Sequence, residues 1–183
     1  MRNKKEEQKI RLDRLYRHIL SSNCEPMFIL DDESYFTFSG TNMPQNDHYY
    51  AAAPGSTDIS TRFRRQAKFE SKLMCWIAVS PRGISKPYFC PSREAVNAEI
   101  YQKKCIRQRL LPFIAAHHHD GNYLFWPDLA SCHYARTTIC LFQELNIKFV
   151  PKEKNPPNCP QLHPIEDFWG LLKQLVYAKG WEA

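Results

Sequence analysis

The chain has 183 residues, 43% of them hydrophobic and 13% aromatic, which suits one domain with a good-sized core and excludes a disordered polymer. Its net charge of +6 and pI near 8.9 permit a polyanionic partner without demanding one. The seven cysteines, an odd number with no C-x-x-C pair and several inside apolar runs, argue against a disulfide framework and for a reducing compartment.

The charged start Met1-Arg2-Asn3-Lys4-Lys5-Glu6-Glu7 has no apolar core of the kind a secretory leader needs, and no apolar stretch is long enough to span a bilayer. Residues 2–20 alternate charges with Ile10, Leu12, Leu15, Tyr16 and Ile19, which predicts a basic amphipathic helix within segment 1–24, broken by Asn23-Cys24-Glu25-Pro26. Two short strands are expected next, at 27–32 and 34–38. Residues 39–71 hold Gly40, Pro44, Pro54, Gly55 and a cationic cluster of Arg62, Arg64, Arg65 and Lys68, and read as a long excursion from the core. Residues 72–80 predict a buried strand, Pro81-Arg82-Gly83 a turn, and 84–90 a further strand. Residues 93–111 are helical by propensity, although their apolar positions are spread around the wheel, and Pro112 with the stretch 117–122 marks a loop. A strand at 123–128, a helix at about 133–145 and a strand at 147–150 follow. After a proline-rich loop, a last helix starts near Pro164 with the stripe Ile165, Phe168, Trp169, Leu172, Leu175 and Val176. Early strands followed by alternating strands and helices predict an α/β domain over 25–183, a mixed sheet with helices on its faces.

Three carboxylates stand out by position. Asp31 and Asp32 interrupt the apolar run that begins at Met27. Strand alternation puts Phe28, Leu30 and Asp32 on one face and Met27, Ile29 and Asp31 on the other, which leaves open which face meets a site. Asp128 follows Trp126-Pro127, and a proline without an N–H belongs at the end of a strand, where open α/β sheets place ligands. Glu166 opens the last helix, with 37 residues between it and Asp128 and with Gly170 four residues on, where a missing side chain leaves room. Taken singly, the aspartates are ordinary turn residues, and Glu166 is a first-turn acid favoured by about 0.3–1 kcal/mol. Together they form two strand ends and a helix start, the oxygen donor set of a two-metal phosphodiester site.

Other constellations compete less well. His117-His118-His119 lacks a spaced partner motif and reads as a solvated loop. Cys159 and His163, with Cys132-His133, have ligand-like spacing but no second close pair of cysteines. Lys103, Lys104, Arg107 and Arg109 read as a solvated helix face as readily as a phosphate contact. There is no Gly-rich phosphate loop, no G-x-S-x-G elbow and no nucleotide fingerprint.

Asp32-Glu33-Ser34-Tyr35, Phe125-Trp126-Pro127-Asp128 with Ser131 and His133 downstream, and Pro164-Ile165-Glu166-Asp167-Phe168-Trp169-Gly170 resemble the catalytic domain of mariner-type DDE transposases. The resemblance runs from about residue 25 to the end, and its most specific part is Pro-Ile-Glu-x-x-Trp-Gly. It implies an RNase H-like fold and matches Asp32, Asp128 and Glu166 to the three catalytic carboxylates, which would hold two Mg²⁺ or Mn²⁺ ions. It further implies cut-and-paste cleavage and strand transfer at transposon ends, insertion at a TA target, a homodimer in the full-length protein and a nuclear location. Residues 39–71 match the family's clamp loop, which would bring Arg62, Arg64, Arg65 and Lys68 near DNA or the partner subunit. The family's N-terminal helix-turn-helix modules are expected to be absent from this sequence. One departure is Asp128-Leu129, where many members have Asp-Asn. The competing expectation is an inactive or domesticated remnant that binds DNA or dimerises.

Overall fold

A computed structural model describes residues 4–20, 26–38, 71–91, 94–157 and 164–178. The expected clamp segment lies almost wholly outside these, as do Arg62, Arg64, Arg65, Lys68, Cys159 and His163. The first helix, α1 (Lys4–Leu20), forms where the charged amphipathic pattern predicted it.

The next element, β1, is one strand of 11 residues, Met27–Thr37, and not the two short ones expected. Asp32 and Glu33 do not break it, because β2 (Lys72–Ser80) runs antiparallel beside it without interruption from Leu30↔Val79 to Thr37↔Lys72. The ladder supplies hydrogen bonds that local propensity cannot foresee. At its far end, the Tyr177 hydroxyl accepts from the Thr37 N–H at 2.8 Å and donates to the Thr37 carbonyl at 3.0 Å.

The single strand expected over 84–90 is instead two, β3 (Gly83–Ile84) and β4 (Tyr88–Cys90), both pairing with β2. Pro87 cannot donate to a ladder, so pairing lapses before it. Ser85 fills part of the gap, donating its N–H to the Ala78 carbonyl at 2.8 Å and accepting the Ala78 N–H on its hydroxyl at 2.9 Å.

Helix α2 is continuous through Ala98–Ile100, Tyr101–Leu110 and Leu111–His117. It extends past Pro112, where a break was expected. Its middle part is a π-helix, and the Leu111 N–H reaches back to the Ile106 carbonyl. The buried residues there, Tyr101, Cys105, Ile106 and Leu110, recur at the longer period of i→i+5 bonding. That period explains why the apolar positions looked scattered on a 3.6-residue wheel.

Strand β5 (Tyr123–Trp126) ends at Pro127 and pairs parallel with β1 from Met27↔Tyr123 to Leu30↔Trp126. Residues 147–150 make only a single parallel bridge, Phe125↔Phe149, in place of the expected strand. Helices α3 (Arg136–Glu144) and α4 (Ile165–Tyr177) complete the order. The sheet runs β3-β2-β1-β5, with β4 also beside β2.

The two faces of the sheet bury separate cores. Ile29, Trp76, Ala78 and Phe125 pack against Tyr101, Ile106, Leu110 and Phe113 of α2 and Leu141 and Phe142 of α3. Leu30, Cys75, Ile77 and Trp126 pack against Leu15 of α1 and Ile165 and Trp169 of α4. The α4 stripe is narrower than the sequence suggested, since Leu175 is 75% exposed. Among the described residues, no helix is long and apolar enough to cross a membrane.

Candidate active site

The register of the parallel pair builds the site. Trp126 is opposite Leu30, and Pro127 ends β5 because it has no N–H to offer. Two residues further on in each chain segment stand Asp32 and Asp128. Among the described residues, no strand pairs with the β5 side of β1 from Asp31 onward, which opens an edge for polar side chains. There Asp32, Glu33 and Asp128 each bring an oxygen to within 4.8 Å of the others.

The two adjacent aspartates serve opposite faces. Asp31 points into the α2 side, is 1% exposed, and accepts from the Tyr101 hydroxyl at 2.7 Å and Trp76 Nε1 at 3.1 Å through one oxygen. Among the described residues, its other oxygen has no hydrogen-bond partner. Burial pushes its pKa up to about 7, opposed by the His133 charge and reinforced by Asp128 and Glu33. Asp32 points to the α4 side, where Oδ2 accepts from Trp169 Nε1 at 3.1 Å and Oδ1 from the Glu33 N–H at 2.8 Å. Burial raises its pKa to about 6 against the Glu33 N–H bond, with the Asp128 and Glu33 charges adding to the rise. The face left open by alternation is thus decided: Asp32 belongs to the carboxylate group and Asp31 to the core behind it.

Asp128 is set by the turn that follows it. Its Oδ1 accepts the Ala130 N–H at 3.0 Å, and the His133 N–H closes on the Ala130 carbonyl at 3.1 Å. This turn brings His133 back under the site, fully buried, its ring stacked on Tyr101 with centroids 3.9 Å apart. Nδ1 contacts Asp128 Oδ1, and Nε2 is 3.4 Å from Glu33 Oε1. Burial alone would lower the imidazole pKa, but the negative charge of Asp31, with contacts to Asp128, Cys132 and Glu33, outweighs it and holds the pKa well above the usual histidine value.

A second support lies on the other side of Asp128. Asn155 is 1% exposed and uses its whole carboxamide: Oδ1 accepts from Trp126 Nε1 at 2.8 Å, while Nδ2 donates to the Pro127 carbonyl at 2.8 Å and the Tyr134 hydroxyl at 2.9 Å. The backbone leading into Asp128 is therefore fixed from a distant loop, which is itself held by Arg11 of α1 donating to the Lys152 and Asn155 carbonyls.

Of the three carboxylates picked from the sequence, the structure brings Asp32 and Asp128 together. Glu166 sits exposed in the first turn of α4, outside that group, and Glu33 supplies the third clustered oxygen. Trp169, one helical turn beyond Glu166, is the residue that ties α4 to Asp32. Around Gly170 a methyl group would meet nothing within 4 Å, so the room inferred beside Glu166 is present.

Glu33, His133, Trp169 and Asn155 were not singled out as site residues. Glu33 follows Asp32 on a strand, where neighbours alternate in direction, and Trp169 belongs to the apolar stripe of α4. His133 carried a signal in its short spacing from Asp128; Asn155 carried none. The basic helix face is partly structural: Arg109 donates to the Pro87 and Lys104 carbonyls and stacks over Tyr88, and Arg107 pairs with Glu144. In the histidine run, His118 is buried with Nε2 at 2.9 Å from the Ser80 hydroxyl.

The donor set fits a hard divalent cation. It is all oxygen, and the mutual repulsion that helps raise the Asp32 pKa is what a cation would relieve.

A mixed sheet with its first strand flanked by one antiparallel and one parallel neighbour, helices on both faces and aspartates at the mouth of the parallel pair defines an RNase H-like domain. Solved structures give the nearer likeness. The catalytic domain of Mos1 mariner transposase matches with a TM-score of 0.66 at 15% identity, covering 100% of this chain and 77% of that one. A Mos1 transposase paired-end complex with the left transposon end matches at 0.72 and 21% identity, and a Mos1 mariner paired-end complex with Mn at 0.71 and 20%. Each of these two alignments covers 94% of this chain, which spans about half the length of the Mos1 chain, 50% in both. The protein has the fold of the mariner transposase catalytic domain. No family model matches the chain, nor does any curated protein.

Proposed function

We propose that this domain is the catalytic part of a mariner-type transposase, which cuts phosphodiester bonds at transposon ends and joins the freed 3′-hydroxyl to target DNA. The observation that carries the reading is the convergence of Asp32 and Asp128 at the open edge beside β5, in a fold shared with Mos1. Asp32, Asp128 and Glu166 would hold Mg²⁺ or Mn²⁺, two ions in the full site. Bound there, the ions would lower the pKa of the attacking water and stabilise the leaving oxygen.

The chain's own residues prepare this. Trp169 and the Glu33 N–H fix both oxygens of Asp32. The Asp128 turn and Asn155 fix the second carboxylate and its backbone. Glu166 stands on the turn of α4 next to Trp169, with open space at Gly170 beside it, and would close on the site when cation and DNA arrive. DNA with a TA target, a second copy of the protein and a nuclear setting follow from the same reading, as does a clamp role for 39–71 with Arg62, Arg64, Arg65 and Lys68 on DNA.

The test is nicking of supercoiled plasmid and of transposon-end duplexes with Mg²⁺ or Mn²⁺. Cleavage should vanish with chelator and in Asp128→Ala and Glu166→Ala. Activity undiminished in Asp128→Ala would sink the assignment.

A second reading is favoured by one observation, the position of Glu166 outside the clustered carboxylates. In it the domain binds DNA or dimerises without cutting. Filter binding across a salt series separates the two: a steep salt slope without cleavage supports this reading, and no affinity at all contradicts both.

A further inference from the structure

We infer that His133 is a positioning residue, a strut that sets Asp128 and Glu33 against Asp32, so that cation affinity depends on a side chain that touches neither substrate nor ion. The inference rests on the cation-binding reading above and deepens it.

Three observations carry it. First, the ring is immobilised from behind. It is wholly buried and stacked on Tyr101, whose hydroxyl is anchored in turn on Asp31 at 2.7 Å. A ring wedged against a core aromatic cannot swing without disturbing α2.

Second, its two nitrogens lie in ion-pair contact with two different carboxylates of the same group, Nδ1 at Asp128 Oδ1 and Nε2 3.4 Å from Glu33 Oε1, neither contact aligned as a hydrogen bond. The two nitrogens of an imidazole are held apart by a rigid ring, so these contacts fix the separation of two acids that would otherwise repel each other. Asp32, Glu33 and Asp128 are held within 4.8 Å with this ring beneath them.

Third, the turn that presents Asp128 also delivers His133. Asp128 Oδ1 takes the Ala130 N–H at 3.0 Å, and the His133 N–H takes the Ala130 carbonyl at 3.1 Å. Carboxylate and strut are one local unit, so the orientation of Asp128 is decided before any cation arrives. Groups that orient a ligand in this way commonly govern affinity by about 10–100-fold.

Three variants of the full chain test the assignment. His133→Phe keeps the stacked ring and removes both nitrogens. His133→Asn keeps one N–H at the position of Nδ1, facing Asp128. Glu33→Gln removes the second contact. Mn²⁺ affinity is read by the loss of free-ion signal in electron paramagnetic resonance. Circular dichroism melts check folding, and nicking rates are resolved into kcat and the Mn²⁺ concentration for half-maximal rate.

His133→Phe should bind Mn²⁺ about 10–100-fold more weakly, with the loss in half-maximal Mn²⁺ exceeding the loss in kcat at saturating metal. His133→Asn should recover most of the affinity. In the double variant, the effects of Glu33→Gln and His133→Phe should fall short of additive. A folded His133→Phe that binds Mn²⁺ like the wild type overturns the inference. If His133→Phe does not fold, a fourth variant, His133→Leu, decides: a loss of about 10-fold or more that His133→Asn recovers supports the strut, and affinity within a few-fold of wild type overturns it. A wild-type chain with no Mn²⁺ site sensitive to Asp32→Ala overturns the underlying reading as well, so the two failures are distinguishable.

Discussion

Replacing Asp32 with Asn should stabilise the metal-free protein while abolishing its activity. In the fold, the Asp32 carboxyl is raised from 3.8 to about 6, chiefly by burial and then by the Asp128 and Glu33 charges. A group raised this way contributes stability that is complete below its unfolded pKa and is lost as pH rises through about 6, so above neutrality the ionised side chain opposes folding. The full shift corresponds to about 3 kcal/mol at pH 8. Asn still offers one oxygen to Trp169 Nε1, and its N–H groups face the remaining carboxylates, but it gives up the bond from the Glu33 N–H, worth about 1 kcal/mol. Partial solvent screening reduces the remainder, leaving a net gain of about 1–2 kcal/mol, or a rise in Tm of roughly 2–8 °C for a domain of this size. The assay is thermal melting by circular dichroism in chelator at pH 8 and pH 5. The gain should be larger at pH 8, and added Mg²⁺ should raise the Tm of the wild type but not of Asp32→Asn. An Asp32→Asn protein that melts at or below the wild-type temperature at pH 8 would refute the reasoning that crowded carboxylates store the repulsion a cation relieves.

Asn155→Ala should cost about 2–4 kcal/mol, because it removes the partner of the Trp126 indole N–H and of the Pro127 carbonyl inside the fold and leaves the Tyr134 hydroxyl only its bond to the Val150 carbonyl; chemical denaturation measures it, and a cost below 1 kcal/mol would contradict the buried network. Gly170→Ala should stabilise α4 by roughly 1 kcal/mol, since the added methyl meets nothing and helix propensity improves. If nicking nevertheless falls several-fold in that variant, with the melt raised, the space beside Glu166 is used by DNA or metal; unchanged nicking shows that it is not.

Much of the element order could be read from the chain because the relevant signals are local. The charged repeat of α1, the apolar run of β2, the proline that stops β5 and the proline before α4 each act through their own backbone. The misreadings come from non-local terms. β1 is continuous because β2 lies beside it, not because Asp32-Glu33 favours a strand. Residues 147–150 looked like a strand, yet only Phe149 bridges to Phe125. The buried positions of Tyr101–Leu110 follow a π period that no 3.6-residue pattern can detect, and an α-helical turn carries the chain on past Pro112.

The site divides in the same way. Asp32, Asp128 and Glu166 could be picked out only as a set: each alone is an ordinary acid for its place, but their order and the setting of Glu166 make one oxygen donor group. What the sequence by itself determined is which acids are available and which elements carry them. Only the tertiary structure decided that Asp32 faces α4 and Asp31 the core, that Glu33 joins the group while Glu166 stands outside it, and that His133 and Asn155 hold the second aspartate. The physical reason is that alternation and periodicity fix directions within one element, whereas the register of Leu30 on Trp126 and the packing of Trp169 on β1 fix directions between elements.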